Sequence, residues 1–564
     1  MKTHDRLPAA LMWVLPVLLI IPNVALDITE QYYSVAARIA NVALPAGIYL
    51  LLMAWSRKAG RTALFLIPVM VLCAFQIVLL YLYGESIIAI DMFLNVVTTN
   101  AHEAGELLRN LGEAIAVVCL LYLPPIVVGI VLCARKRYTD HGERKAAAMA
   151  GGAMGGVGLV AFIAAFFMPG GYKAERELFP VNVCYNMGVA AYRTEQSVKY
   201  YESSAAFHFG TTAVADSVPP VVVLVVGETS RADNWQLNGY ERETNPRLSR
   251  REGLVSFGKA LSESNTTHKS VPLMLSHLGA GMFGDSIYSV KSVISAFGEG
   301  GYRTAWLSNQ QHNGSLIDFF GNEADVVDFL VDDGHDHHDM ELVGALSEFV
   351  RDNADRPLFA VLHTYGSHFN YKERYPEDFD FFEPVSDMQA DKSNRSQLIN
   401  AYDNSIVYVD AVLDSIAGVL ELSGRPASML YLADHGEDIF DDGRNRFLHA
   451  SPTPTYWQLH VPMVLWMSPE YISEHPDRYA AARSNADRDV SSSHSAFHTL
   501  MSLGDVSAGV YEPSSSLTDY GYEAPLRMYV NDYNEGVALS RAGLRTPDFE
   551  CLAKRGIDIG TARR

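Results

Sequence analysis

Val221-Val222-Val223-Leu224-Val225-Val226-Gly227 runs straight into Glu228, and this stretch decides the fold. A short, β-branched, unbroken apolar run reads as a strand buried on both faces, the kind found in parallel sheets. Two further runs repeat the pattern. Pro357-Leu358-Phe359-Ala360-Val361-Leu362 leads through His363 to His368, and Ser428-Met429-Leu430-Tyr431-Leu432-Ala433 ends on Asp434-His435. Ligands of open α/β sheets gather beyond the carboxyl ends of such strands. Glu228, His368, Asp434 and His435 arriving there together point to a metal site.

Working outward, residues 301–307 and 461–466 read as further strands, and helix-like segments separate the strands from 219 to about 545. This alternation implies α/β layers around a mainly parallel sheet. The chain shows no internal repeat, and the tail after 546 carries no signal of its own.

The first third is different. Five apolar stretches, roughly 9–26, 37–55, 62–83, 114–133 and 147–168, approach the about 20 residues that a membrane helix needs. One such stretch alone reads as a buried core helix; five in succession with almost no internal charge read as membrane spans. Lys2 and Arg6 precede the first, Arg57, Lys58 and Arg61 lie between the second and third, and Arg135, Lys136, Arg137, Arg144 and Lys145 between the fourth and fifth. The alternate connections are poor in basic residues, Arg38 and Arg109 excepted. Basic loops stay cytoplasmic, so the amino terminus is expected inside and everything beyond about residue 170 outside. The first span is read as retained rather than as a cleaved signal, because further spans follow at once.

The expected division is a five-helix transmembrane domain over 1–170, a connector with interfacial helices over 171–215, and an external α/β catalytic domain over 216–564. The connector carries Arg176, Arg193 and Lys199, placed to meet the membrane interface. The long connection from 84 to 113, with Asn95–Ala104 at its centre, reads either as a short amphipathic helix at the outer surface or as a solvated loop. Cys184 and Cys551 are the only two of five cysteines outside the spans, which permits one disulfide at most and no disulfide framework. A net charge of −21 argues against nucleic-acid binding.

Glu228 alone can be a first-turn helix acid. Asp434-His435-Gly436-Glu437 is a sharper signal, a carboxylate and an imidazole at one strand end followed by a tight turn. Oxygen and nitrogen ligands together suit zinc, with manganese less favoured. Ser264-Asn265-Thr266-Thr267-His268-Lys269-Ser270-Val271-Pro272 offers hydroxyls at a helix amino terminus, where phosphate is favoured too; simple N-capping is the plainer reading of the segment. Asp332-Asp333-Gly334-His335-Asp336-His337-His338-Asp339 reads as a solvated acidic loop before a helix, with adventitious or regulatory zinc binding as the other reading.

Gly227-Glu228-Thr229-Ser230-Arg231-Ala232-Asp233-Asn234, continuing through Asn238-Gly239-Tyr240-Glu241-Arg242 to Thr244-Asn245-Pro246, resembles the signature of bacterial phosphoethanolamine transferases. These are inner-membrane enzymes of the alkaline-phosphatase-like superfamily, and they include the lipid A-modifying enzymes behind colistin resistance. The resemblance covers nearly the whole chain. It implies a zinc enzyme that moves phosphoethanolamine from phosphatidylethanolamine to lipid A or a related envelope glycolipid, with the catalytic domain periplasmic. By position it makes Thr267 the nucleophile, and Glu228, Thr267, Asp434 and His435 the ligands of one tightly held zinc. His368 matches a histidine that contacts substrate or a second zinc, His449 matches its partner, and Glu437 falls close by.

Three positions depart from the family pattern. Glu263 and Leu273 stand where flanking cysteines are often found, so packing must hold the nucleophile segment. A substrate-binding lysine expected after the strand at Trp306 is missing, which leaves Asn309 and Gln310, with Glu437, as the expected substrate contacts. Phosphoglycerol transfer of the lipoteichoic acid type is the nearest rival reaction, and core sugar or another glycan the rival acceptor. A sulfatase reading fails: that class needs Cys or Ser, then Pro two residues on and Arg four on, and Met274 follows Ser270-Val271-Pro272 where Arg would stand. A non-catalytic membrane-anchored scaffold is disfavoured by the intact Glu228, Thr267, Asp434 and His435.

Overall fold

In the computed structural model the described residues are 6–29, 34–83, 88–98, 105, 111–168, 171–213, 218–333, 338–385 and 391–559. The chain forms two compact units, Met1–Phe93 with Leu107–Ala191, and Leu94–Glu106 with Tyr192–Arg564.

In the first unit, Leu7–Thr29, Val35–Trp55, Gly112–Ala134 and His141–Ala165 are long and apolar enough to cross a membrane. The third expected span is instead a pair, Ala59–Phe65 and Ile67–Leu82, bent by 54°. Pro68 explains the break, since it donates no N–H and its ring crowds the carbonyl four residues back. The last helix starts at His141, ahead of its apolar part, because the Asp140 side chain accepts the Gly142 N–H and caps it. Small residues let it meet Val35–Trp55 closely: a Cβ on Gly47 would lie 2.4 Å from the Gly155 nitrogen. Ile90–Thr98 is helical, as one reading of the long connection has it, while residues 99–104 lie outside the described part.

The second unit is built on a seven-stranded sheet. Its strands are β1 (Val221–Gly227), β2 (Leu254–Ser256), β3 (Arg303–Ser308), β4 (Val326–Phe329), β5 (Leu358–His363), β6 (Ala427–Ala433) and β7 (Met463–Met467). Their order is β2-β7-β6-β1-β5-β3-β4. The 461–466 run supplies the antiparallel member, β7, which pairs antiparallel with both β6 and β2; the remaining pairings are parallel. Every residue of β1, β5 and β6 is buried.

Alternation within β1 explains why its run is apolar throughout. Val222, Leu224 and Val226 pack into one core with the helices Thr267–Leu275 and Ser492–Leu503. Val221, Val223 and Val225 pack into a second core, under Met340–Asp352 and the long helix Arg395–Leu422. Side chains of successive strand residues point to opposite faces, so both faces demand apolar groups. Register does the rest. Gly227 pairs with Ala433 and Val226 with His363, so β1, β6 and β5 end side by side and release Glu228, Asp434 and Thr364 at one edge.

The signature stretch after β1 is clamped to Arg395–Leu422. Asn234 Nδ2 and the Tyr240 hydroxyl donate to opposite oxygens of Asp403, at 2.7 and 2.8 Å, and Arg242 joins them. Asp410 accepts the Arg247 and Leu248 backbone N–H groups. Asp233 pairs with His460 and with Arg555. The tail therefore has structure its sequence did not signal: Thr546–Lys554 is a helix, and its Asp548 is buried against Arg444. In the connector, Lys199 is exposed and pairs with Glu195, whereas Arg193 is buried and donates to the Asp532 carbonyl rather than meeting an interface. All five cysteines are free, Cys184 and Cys551 included.

Candidate metal and nucleophile site

Glu228 leaves β1 in a turn held on three sides. Thr229 takes the left-handed conformation at φ 56°, and its hydroxyl donates to Glu228 Oε1 at 2.7 Å. The Tyr402 hydroxyl spans the turn, donating to the Thr229 carbonyl and accepting the Arg231 N–H, each at 2.8 Å. Gly366 comes in from the loop after β5, where its φ is +58° and a Cβ would stand 2.6 Å from the Glu228 carbonyl oxygen. Only glycine fits both constraints.

Asp434 Oδ1 accepts the Thr229 and His435 backbone N–H groups at 3.1 and 2.7 Å. Its Oδ2 is buried and, among the described residues, has no hydrogen-bond partner. His435 Nδ1 lies 2.9 Å from the Gly436 carbonyl. A carbonyl only accepts, so Nδ1 carries the proton and Nε2 keeps its lone pair. Burial, with His449 nearby, holds the His435 pKa well below the usual histidine range, so the ring is neutral. That Nε2 lies 3.2 Å from Asp434 Oδ2, 3.5 Å from Glu228 Oε1 and 3.1 Å from Thr267 Oγ1.

Thr267 opens the helix Thr267–Leu275, with Thr266 in extended conformation as its N-cap. Its Oγ1 stands 3.4 Å from Glu228 Oε2. Donor atoms of Glu228, Asp434 and His435 all lie within 4.8 Å of one another. Burial pushes the Asp434 carboxyl up to about 7, and burial together with Asp434 pushes Glu228 well above the carboxylate range. Two buried carboxylates, an imidazole lone pair and an unpartnered oxygen are what a divalent cation requires, and the O, O, N, O set suits zinc.

Beside this group stand the two further histidines. The His435 and His449 ring centroids are 4.1 Å apart, those of His368 and His449 5.9 Å. His368 Nδ1 lies 2.6 Å from the Phe369 carbonyl, and burial, with Arg374 and His449, pushes its pKa down to about 3. His449 Nδ1 is 3.1 Å from Glu437 Oε2, while Glu437 Oε1 takes the Tyr371 hydroxyl. Glu437 is fully buried and committed to these two partners, so it orients His449 instead of lining open space.

Asn309 and Gln310 part company. Gln310 Nε2 reaches the Thr364 carbonyl at 2.8 Å and Glu228 Oε2 at 3.4 Å. Asn309 turns away to Asp339 at 2.8 Å. Asp339 also accepts the Tyr365 and Gly366 N–H groups, and at 3% exposure it is no solvated loop residue. It fixes the loop that carries Gly366 and His368. Residues 334–337 of that acidic segment lie outside the described part. Glu263, at one cysteine-free position, is buried and accepts the His494 N–H, and Leu273, at the other, sits in the core. Asn265 secures the segment before Thr267 through the Ser451 carbonyl, Gln458 and the Tyr529 hydroxyl.

Sequence reasoning missed Tyr371, Tyr402 and Asp339, whose roles depend on partners far away in the chain. It also missed a second donor group, His494, His498 and Glu512. There His498 Nδ1 accepts the Glu512 N–H and His494 Nε2 lies 3.1 Å from Ser515 Oγ, so both rings are engaged locally.

Residues 220–506 match the family model described as Sulfatase. The chain is 31% identical over 307 residues to phosphoethanolamine transferase EptA of Escherichia coli (strain K12), which covers 53% of this chain and 55% of that protein. It is 28% identical over 276 residues to the Kdo(2)-lipid A phosphoethanolamine 7''-transferase of the same strain, covering 48% of each. The chain thus spans about half the length of the curated relatives it matches. Among solved structures, the integral membrane lipooligosaccharide phosphoethanolamine transferase A from Neisseria meningitidis matches 92% of this chain and 99% of its own at TM-score 0.71 and 22% identity. The zinc complex of the periplasmic domain of EcEptC from Escherichia coli matches 58% of this chain and 94% of its own at TM-score 0.52 and 24% identity. At these identities the structural matches establish a shared fold.

Proposed function

Because the chain belongs to the sulfatase family, with Glu228, Thr267, Asp434 and His435 all inside the matched region, we propose that it is a zinc-dependent phosphoethanolamine transferase. The donor is phosphatidylethanolamine and the acceptor an envelope glycolipid, lipid A first. Family membership does not bring sulfate-ester chemistry with it, since Met274 stands where that chemistry needs Arg. The observation that carries the reading is the approach of Thr267 Oγ1 to His435 Nε2, 3.1 Å, at the edge where Glu228 and Asp434 also end. The relatives named as phosphoethanolamine transferases support it, and a zinc-bound structural neighbour supports the metal.

Glu228, Thr267, Asp434 and His435 would hold the zinc. When bound, zinc supplies Lewis-acid stabilisation and lowers the pKa of the Thr267 hydroxyl. Thr267 Oγ1, its proton released to solvent, bonds to the phosphorus of the donor lipid as the bond from phosphorus to the glycerol oxygen breaks. His449, oriented by Glu437 through Nδ1, gives that oxygen a proton from Nε2, and diacylglycerol leaves. The acceptor phosphate or hydroxyl then attacks the phosphoethanolamine-threonine and the bond from phosphorus to Thr267 Oγ1 breaks; His449 regains its proton from an attacking hydroxyl or, where a phosphate attacks, from solvent. His368, kept neutral with its proton on Nδ1 toward the Phe369 carbonyl, offers only its Nε2 lone pair and so can accept a proton but not donate one there.

Donor and acceptor are both lipids, which gives the apolar first unit its purpose. In this reading residues 1–170 are the membrane domain of a bacterial inner-membrane protein, 171–215 the connector and 216–564 the periplasmic catalytic domain, with a cytoplasmic amino terminus. Mass spectrometry of lipid A from cells with and without the chain, beside Thr267→Ala, tests the proposal. The expected result is a gain of one phosphoethanolamine that the variant loses. An unchanged protein adduct in Thr267→Ala would overturn the nucleophile.

A further inference from the structure

A cavity of about 370 Å³ opens at one end of the first unit, lined by Lys58, Arg61, Lys136, Arg137, Tyr138 and Leu132 among others. Four of its lining residues are cationic and none is acidic. Like charges crowd there because the backbone brings them together. A Cβ on Gly60 would lie 2.6 Å from the Gly129 carbonyl oxygen, so Ala59–Phe65 presses directly on Gly112–Ala134 and carries Arg61 to the end of that helix. The Thr139 N–H donates to the Arg57 carbonyl at 2.9 Å and ties the two basic connections together.

Lys136 is the telling residue. Gly112–Ala134 ends with the Arg137 N–H on the Leu132 carbonyl at 3.1 Å, and Lys136 takes the left-handed conformation at φ 51°. That position suits glycine, and a lysine there is strained. Topology signalling needs only a basic loop, which any neighbouring position could supply. Lys136 keeps this conformation as an exposed residue on the wall of the cationic cavity. Depth narrows the ligand. Trp55, 84% exposed, ends Val35–Trp55 just before the basic connection 56–58, and Tyr138, 45% exposed, follows the end of Gly112–Ala134. Exposed aromatic residues there mark the head-group level of a bilayer. Leu132 and Cys133 continue the cavity wall toward the apolar span.

We propose that this cavity binds the phosphate of an anionic glycerophospholipid in the leaflet at that end of the spans, a site separate from the chemistry at Thr267. Basic pockets between membrane helices have the charge and depth for such head groups. The test uses the full chain in detergent, titrated with phosphatidylglycerol, phosphatidylethanolamine or inorganic phosphate, and followed by thermal melting and native mass spectrometry. Phosphatidylglycerol is expected to stay bound and raise the melting temperature, with the other two well behind. Affinity should fall about thirtyfold in the double variant Arg61→Gln/Lys136→Gly. Lys136→Gly alone, without lipid, should melt no lower than the parent chain, because glycine relieves the left-handed position; lost binding is then not lost folding. Equal stabilisation of the parent and the double variant would overturn the site. So would equal responses to the anionic and zwitterionic lipids, or a full response to inorganic phosphate with none to phosphatidylglycerol.

Discussion

Glu437 Oε2 lies 3.1 Å from His449 Nδ1, with the Tyr371 hydroxyl on its other oxygen. A carboxylate only accepts, so His449 carries its proton on Nδ1 and exchanges protons through Nε2. Glu437→Gln leaves a single acceptor oxygen for two donors, the His449 N–H and the Tyr371 hydroxyl, so the ring loses its fixed orientation. Turnover should fall about 10- to 100-fold and the pH profile should shift, while zinc content stays at the parent level. Unchanged turnover and profile would remove Glu437 from its positioning role.

Asp434 Oδ2 has no partner within the described residues. Asp434→Asn should strip the site of zinc through gel filtration, read by elemental analysis. Chelation of the parent chain should lower its melting temperature, since a metal at 1,000 times its Kd stabilises by about 4 kcal/mol. Chelation should leave the Asp434→Asn melt unmoved. A chelator-sensitive melt in the variant would place the metal elsewhere.

Gly366 is pressed against Glu228 and has positive φ. Gly366→Ala must either move Glu228 or leave the left-handed region. We expect a loss of about 2 kcal/mol in stability together with weaker zinc retention. A full-affinity zinc site in this variant would show that the loop after β5 does not set the Glu228 position.

His363 ends β5, wholly enclosed and tilted against Trp306, and burial pushes its pKa from 6.5 down to about 3. The native state therefore favours the neutral ring. This group's contribution is fully present above pH 6.5 and is lost as pH falls from 6.5 toward 3, at roughly 1.4 kcal/mol per pH unit. His363→Phe should flatten the melting temperature between pH 6.5 and 4 relative to the parent chain. Identical acid sensitivity in the two would assign the loss to other groups.

Much of the site was legible because parallel strands of matching register end together. Val221–Gly227 and Ser428–Ala433 announce their burial by composition, and Glu228 and Asp434 follow from where those runs stop. Thr267 was not legible from residue types alone, because Ser264, Thr266 and Thr267 are chemically alike. The fold separates them: Ser264 and Thr266 bond to each other at 3.3 Å, and Thr267 alone meets His435. Asp339 defeated local reading because its surroundings are acidic while its donors, Asn309, Tyr365 and Gly366, come from the ends of β3 and β5. Glu437 follows Asp434-His435 closely in the chain, but its partners Tyr371 and His449 are set by tertiary packing. Pro68 was a legible signal for the bend in the third span.

The clamp between the signature stretch and Arg395–Leu422 bears on how such proteins can be recombined. Asn234, Tyr240 and Arg242 are used up on Asp403, and the backbone at 247–248 on Asp410. The signature stretch is thus a structural fastener, tied by its side chains and backbone to one helix. A chimera with a relative must exchange the segment and the helix as one piece. Surfaces that leave this fastener untouched, by contrast, can be exchanged or can drift on their own.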